Sequence, residues 1–183
     1  ELLPVLNTIV AEAVAGDGMA QNAMGILMEQ GCPTATGRER PNAVSARQWY
    51  LKSAESGYSK GQFNYARVCK NGIGGPKRLE ECLKWWRAAA NQGCPRSQYS
   101  LAVFLARQND GMPDAGAITE LLRKAAASGQ ADARRVVRAC GDDLSVARTY
   151  AELLIDLAEG ELRRRQALDT DEPFFSISLP ADW

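Results

Sequence analysis

The side chains that most often carry acid, base or metal chemistry are unevenly represented in this sequence of 183 residues. Histidine is absent, which excludes catalytic triads that run through imidazole and all His-based metal sites. No two cysteines form a CxxC pair, and a cysteine nucleophile would have no imidazole base to activate it. We therefore predict no catalytic residue, no metal site and no cofactor. The five cysteines are Cys32, Cys69, Cys82, Cys94 and Cys140.

Three other patterns imitate functional sites but have a simpler structural interpretation. The stretch Gly72–Lys77, GIGGPK, resembles a phosphate loop, yet it follows a predicted helix and lacks a Lys-Ser or Lys-Thr pair, so we interpret it as a turn. The carboxylate pairs Glu80-Glu81 and Asp142-Asp143 stand at predicted helix N-termini, where negative charge complements the helix dipole. The aromatic pairs Trp49-Tyr50 and Trp85-Trp86 keep one register, which favours core packing over ligand stacking.

A repeat of 36 residues organises the elements that carry these side chains. Gly57, Gly93 and Gly129 each end an alanine-rich helical run, and they are spaced 36 residues apart. An earlier copy begins at Gly16, and its extra length falls in the Pro33–Pro41 loop, where an insertion costs little. A fixed period of about 20 to 50 residues is typical of repeat proteins.

Each period predicts two antiparallel helices. In the first helix, small and larger residues recur at positions i, i+4, i+5 and i+8, as at Gly61, Tyr65, Ala66 and Cys69, which lie on one helix face. Glycine ends the helix and proline follows. The sequence therefore predicts an all-α solenoid, because one helix pair cannot bury its own apolar stripe. The predicted helices span residues 2–15, 18–30, 43–56, 59–71, 78–92, 95–108, 114–128, 130–140 and 144–168.

The run from Gly57 to Gly93, GYSKGQFNYARVCKNGIGGPKRLEECLKWWRAAANQG, places glycine, small and aromatic residues together in register. It resembles the Sel-one-like (Sel1) repeat, a relative of the tetratricopeptide repeat. The resemblance covers about residues 16 to 129 as three units, of which the third lacks the aromatic pair and the GxG turn. It implies a right-handed α/α superhelical solenoid of antiparallel helix pairs.

We interpret the chain as a single repeat domain over residues 1–183. The end units of a solenoid need capping, and apolar helical runs stand at both ends of this chain. Our division gives an N-terminal capping helix (1–15), three repeats (16–56, 57–92 and 93–128), a degenerate repeat with a long capping helix (129–168), and an acidic and aromatic tail (169–183).

The charge of the chain is balanced in total but uneven along the sequence. Twenty-two basic and 22 acidic residues cancel, which gives no global reason to expect nucleic acid as a partner. By segment, the net charge is −2 for residues 1–56, +5 for 57–93, +1 for 94–129 and −4 for 130–183. A basic second unit between acidic ends suits a partner with a complementary pattern.

The resemblance implies a non-enzymatic scaffold or adaptor that binds another protein with the concave face formed by its first helices. Aromatic and arginine side chains are the types expected to dominate such a patch. The residues that we predict to bind the partner are Phe63, Arg67, Lys70, Tyr99, Val103 and Arg107.

Two narrower hypotheses remain open beside this one. The chain could be a bacterial immunity protein that neutralises a secreted toxic effector, such as a type VI secretion phospholipase, or an accessory subunit of an envelope enzyme or signalling complex. No apolar run reaches the roughly 18 residues of a membrane span. The chain begins at Glu1 without an initiator Met, as a trimmed or mature form would, and the resemblance favours the bacterial periplasm over the cytoplasm. The sequence does not fix the oligomeric state, nor whether Cys69 and Cys82 form a disulfide or are small core residues.

Overall fold

The computed structural model describes residues 2–34, 37–38, 40–107 and 115–140. Over this part of the chain no helix boundary differs from the predicted one by more than one residue, while the helix predicted at 144–168 and the tail at 169–183 lie outside the described residues. The helices are α1 (Leu2–Ala15), α2 (Gly18–Gln30), α3 (Ala43–Glu55), α4 (Ser59–Asn71), α5 (Leu79–Asn91), α6 (Pro95–Arg107), α7 (Ala115–Ala127) and α8 (Ala131–Cys140).

The insertion of the first repeat, predicted as a loop, contains a short hairpin. Strands β1 (Pro33–Thr34) and β2 (Gly37–Arg38) pair antiparallel, with Pro33 opposite Arg38 and Thr34 opposite Gly37. The hairpin lies in the extra length between α2 and α3, and these two helices pack against each other.

Consecutive helices pack against one another from α1 to α8, and α2 also contacts α4, the first helix of the next repeat. This arrangement is an α/α solenoid, as the sequence predicts. A continuous core follows α3 to α6, where Tyr50, Ala66, Cys82 and Trp86 are almost fully buried, and a second core of aliphatic residues joins α6, α7 and α8. Tyr50 and Trp86 are therefore core residues, whereas their neighbours Trp49 and Trp85 are half-buried.

The junction between one repeat and the next has the same construction at four places. The glycine that ends α1, α3, α5 or α7 has a φ between 84° and 100°, and the next residue donates its backbone N–H to a carbonyl five residues back, which caps the helix end. A long polar side chain early in the following helix then donates to the carbonyl eight residues before it. We call this the helix-joining hydrogen bond; its pairs are Gln21 to Ala13, Gln62 to Ala54, Gln98 to Ala90 and Arg134 to Ala126.

Small residues in the first helices permit the close approach that the sequence pattern indicates. A Cβ on Gly25 would lie 2.5 Å from the ring of Tyr50, and one on Gly61 would overlap the side chain of Ser53. A larger side chain at either glycine would therefore push the helices apart. The helix-joining bond at α1 follows the same scheme, so α1 occupies the position of a second helix of a repeat.

Candidate binding surface

The first helices α2, α4 and α6, with the residues that lead into α8, line a groove of about 370 Å³. Its floor is apolar and its sides carry amides and two basic side chains. We call it the first-helix groove. Its lining residues are Asn22, Ile26, Lys60, Phe63, Asn64, Cys94, Pro95, Arg96, Ser128, Gly129 and Gln130.

The floor of the first-helix groove is held in place by contacts between repeats. The amide Nδ2 of Asn64 donates to Oδ1 of Asn22 over 2.8 Å, which joins α4 to α2. The ring of Phe63 is 7% exposed, and the guanidinium carbon of Arg96 lies 6.0 Å from its centroid, so a cation from α6 covers an aromatic ring of α4. The groove is thus built from the first helices of three successive repeats and from the residues that lead into the fourth unit.

The two basic side chains of the groove occupy one repeat position. Lys60 and Arg96 each follow the glycine that ends the preceding helix by three residues, and both are exposed. At the same position the first unit has Met19 and the fourth has Asp132. Among these four units, only the second and the third have a basic residue at this position, and both of these residues line the groove.

A second arrangement of charge, away from the groove, joins α2, α3 and α4. The guanidinium of Arg67 donates to both carboxylate oxygens of Glu29, at 2.9 and 2.5 Å, and the hydroxyl of Tyr50 donates to the same carboxylate at 2.7 Å. The side chains of Arg67 and Glu29 are only 14% and 25% exposed. A bidentate pair of this kind fixes geometry as well as charge, so it sets the relative position of the three helices.

Burial and the neighbouring charges shift the pKa values of Glu29 and Tyr50 in this cluster. Burial acts to raise the pKa of Glu29, but the hydrogen bonds and charge of Arg67, with the hydroxyl of Tyr50, bring it below its ordinary value of 4.5. Burial and the neighbouring carboxylate raise the pKa of Tyr50. At neutral pH the cluster is therefore a carboxylate held by a guanidinium and a phenol, which suits a structural role.

The predicted binding residues lie in different environments. Phe63 lines the first-helix groove, whereas Arg67 is engaged with Glu29, and the ammonium of Lys70 lies 5.6 Å from the ring centroid of Trp86. Tyr99 and Val103 are half-buried against the core of α6 to α8. Arg107 is the last residue of α6, and its side chain lies outside the described residues.

Sequence reasoning missed Lys60, Asn64 and Arg96 of the groove. The prediction placed the site on the C-terminal half of α4, where Arg67 pairs with Glu29. The residues of α4 that line the groove lie in its N-terminal half. A signal was present, because Lys60 and Arg96 are 36 residues apart and keep a basic charge at one register position.

The glycine-rich turn between α4 and α5 is occupied by the protein itself. Arg47 of α3 donates to the carbonyl of Pro76 at 3.0 Å and to that of Ile73 at 3.4 Å, and Gly74 lies against the backbone of Ala43. The turn is therefore a packing element, as the sequence interpretation has it, and its carbonyls point to a guanidinium.

Cys69 and Cys82, which face each other across this turn, are fully buried free thiols. Burial raises the pKa of both, that of Cys82 to about 12. The sulfur of Cys69 accepts a hydrogen bond from Arg47 at 3.4 Å. Thiols with a raised pKa are poor nucleophiles at neutral pH, so these two act as small core residues.

Residues 2–34, 37–38, 40–107 and 115–140 contain no cluster of three or more His, Cys, Asp or Glu side chains placed to hold a metal ion. Over the same residues no helix combines the length and the apolar character that a membrane span needs.

Comparison with known proteins gives the family of these repeats. Residues 18–58 and 59–94 match the family model of the Sel1 repeat, which confirms the resemblance for the first two of the three units predicted from the sequence. A Sel1 repeat protein from Oxalobacter formigenes is similar in structure, with a TM-score of 0.62 and 27% identity over 80% of this chain and 59% of that one. Among curated proteins none matches the chain.

A second similar structure is c5321, a protective antigen present in uropathogenic Escherichia coli strains that displays an SLR fold. Its TM-score is 0.63 and its identity is 22%, over 85% of this chain and 33% of that one, so the likeness shows the fold. This chain thus spans about three-fifths and one-third of the two proteins. Residues 18–94 match two Sel1 repeats, and the described residues have an α/α solenoid fold.

Proposed function

We propose that this chain is a non-catalytic scaffold that binds a partner protein in its first-helix groove. Sel1 repeat proteins are generally protein-interaction scaffolds, and the family is typically non-catalytic. The observation that carries the proposal is the groove itself, which combines the ring of Phe63 with exposed cations and amides from three repeats. An apolar floor inside a polar rim is the composition of a protein-binding patch.

The repeat construction supports a rigid surface of this kind. Helix-joining hydrogen bonds at each junction and the bond between Asn64 and Asn22 hold α2, α4 and α6 in register. A surface that is already ordered loses little conformational entropy when a partner binds. Of the residues predicted from sequence, Phe63 lines the groove, whereas Arg67, Lys70, Tyr99 and Val103 are not among its lining residues, and Arg107 stays a prediction.

The proposal is tested by affinity capture followed by reconstitution. The tagged chain is used to capture proteins from the lysate of its source, and each captured protein is then purified and titrated against the chain by calorimetry. We expect Asn64→Trp, which fills the groove, to weaken the reconstituted complex at least about tenfold. The matched control is Gln48→Trp, an exposed position on α3 outside the groove, which should leave affinity unchanged.

Two results would overturn the proposal. Equal loss of affinity in the two tryptophan variants would place the partner elsewhere than in the groove. Failure to reconstitute a complex with any captured protein, together with tight binding of a glycan or metabolite, would replace the scaffold function with small-molecule binding.

The identity of the partner separates the narrower forms of the proposal. A captured toxic effector whose toxicity disappears on co-expression with this chain would make it an immunity protein. A captured envelope enzyme whose activity changes on binding would make the chain an accessory subunit. Both are protein partners, and neither alters the surface that is proposed.

A further inference from the structure

The charged residues that line the first-helix groove are both basic. The lining residues described above include Lys60 and Arg96 and no carboxylate. Both cations are exposed and occupy the same position of successive repeats, on either side of Phe63 in the sequence. The segment that supplies Lys60, residues 57–93, also has the highest net positive charge of the chain, +5. A ligand with negative charge is therefore favoured over a neutral or a basic one.

The remaining surface of the groove adds two further requirements for a ligand. Ile26, which is half-buried, and the 7% of Phe63 that stays exposed offer apolar area, which favours an aromatic or aliphatic side chain between the charges. The hydrogen bond between Asn64 and Asn22 uses one donor of the first amide and one acceptor of the second. The amide N–H groups of Asn22 and the carbonyl of Asn64 can then pair with a main chain, which presents an acceptor and a donor in turn.

These three requirements are met together by an extended peptide with acidic residues around an apolar one. A nucleic acid would need more phosphate contacts than two cations supply, and it has no side chain for the floor. A volume of about 370 Å³ lies at the lower end of the range for ligand pockets, which suits a short segment. We propose that the first-helix groove recognises a short acidic segment of its partner protein, with an aromatic or aliphatic side chain against Ile26 and the small exposed part of Phe63, and carboxylates against Lys60 and Arg96.

This inference rests on the proposed function and adds the chemistry of the partner. It is tested by fluorescence polarisation with the full chain and the labelled peptide Gly-Asp-Phe-Asp-Gly. The comparison peptides are Gly-Asn-Phe-Asn-Gly, which lacks the charge, and Gly-Asp-Ala-Asp-Gly, which lacks the ring. We expect the first peptide to bind at least about tenfold more tightly than either of the others, and its binding to weaken as salt is raised.

Charge-reversal variants locate the site. The double variant Lys60→Glu with Arg96→Glu should weaken peptide binding at least about tenfold. The matched control is Lys84→Glu with Arg87→Glu, which makes the same change of charge at exposed positions of α5 outside the groove. It should bind the peptide as the unmodified chain does. Circular dichroism checks that both variants are folded.

Four results would overturn the inference, and the last of them leaves the proposed function intact. Equal binding of the three peptides would remove the requirement for charge and ring, and equal weakening in both double variants would reduce the effect to overall charge. Tighter peptide binding after Asp171→Asn with Glu172→Gln would make the chain's own acidic tail the occupant, in place of a partner. The two proposals can fail independently. If calorimetry shows a complex with a captured protein but no acidic peptide binds, the scaffold function stands and the inference about the acidic segment fails.

Discussion

The two matched Sel1 repeats, residues 18–94, differ from the helices that follow them in how the space between helices is filled. In the first region, polar side chains reach into the packing: Arg67 holds Glu29, and Arg47 holds the glycine-rich turn. In the second region, α6 to α8, the core consists of aliphatic and alanine side chains, with Ile118, Leu122 and Val136 almost fully buried.

One ion pair of each region can be compared, although the first region also has an exposed pair, Arg78 with Glu81. Arg67 and Glu29 are bidentate and mostly buried, whereas Lys124 and Glu120 form an exposed pair within α7, each side chain 58% exposed. The junctions nevertheless agree, because Gln98 and Arg134 make the same helix-joining hydrogen bond as Gln62. The solenoid period is therefore maintained by glycine helix ends and helix-joining bonds, while among the described residues the buried ion pair belongs to the first region.

The largest difference between the regions is expected in the loss of stability when a glycine with positive φ is replaced by alanine. At Gly74, φ is 68° and a Cβ would overlap the carbonyl of Ala43, so Gly74→Ala should lower the free energy of unfolding by about 4 kcal/mol. At Gly129, φ is 94° but the nearest atom is 3.8 Å from a Cβ, so Gly129→Ala should cost only about 1 to 2 kcal/mol. Urea unfolding of both variants measures this, and equal losses would contradict the account of the turn.

A smaller difference is expected between the ion pairs. Removing one partner of a buried pair leaves a charge without compensation, so Arg67→Ala should lower the free energy of unfolding by about 3 kcal/mol. The exposed pair of α7 is screened by water, and Lys124→Ala should change it by less than about 0.5 kcal/mol. Urea unfolding at low and high salt checks both values. A similar cost for the two variants would show that burial of the first pair does not matter.

The smallest expected effect is the dependence of the first pair on pH. The pKa of Glu29 is lower in the folded chain than its ordinary value of 4.5, so its contribution is present above that pH and is lost as the pH falls through the folded pKa. The free energy of unfolding of the unmodified chain should therefore fall more steeply below about pH 4.5 than that of Glu29→Gln. Urea titrations across the acid range measure the two slopes, and parallel slopes would mean that Glu29 does not titrate with folding.

Much of the fold could be predicted from local pattern. The spacing of Gly57, Gly93 and Gly129 gave the junctions, since a helix end with positive φ selects glycine, and the 3.6-residue periodicity gave helix boundaries to within one residue. The polar residues five positions after these glycines were visible as a pattern. Their bond to a carbonyl eight residues earlier needed the fold, because it crosses from one helix to the next.

The candidate site was less predictable, because a surface on a solenoid is assembled from several repeats. Phe63 was identified from its residue type, but Arg67 has the same favoured type and turns to Glu29, 38 positions away. No local rule distinguishes an arginine that faces a groove from one that faces a carboxylate on the preceding repeat. The basic position shared by Lys60 and Arg96 could have been read from the period, but its place at the groove could not.

The sequence by itself determined that this chain is a solenoid of helix pairs, because glycine conformation, helix periodicity and a 36-residue spacing are properties of neighbouring residues. Only the tertiary structure decided which side chains are buried or paired between helices and which line a groove. The physical reason is that burial and ion pairing depend on which atoms meet across helices, and side chains of equal polarity, such as Arg67 and Arg96, meet different neighbours.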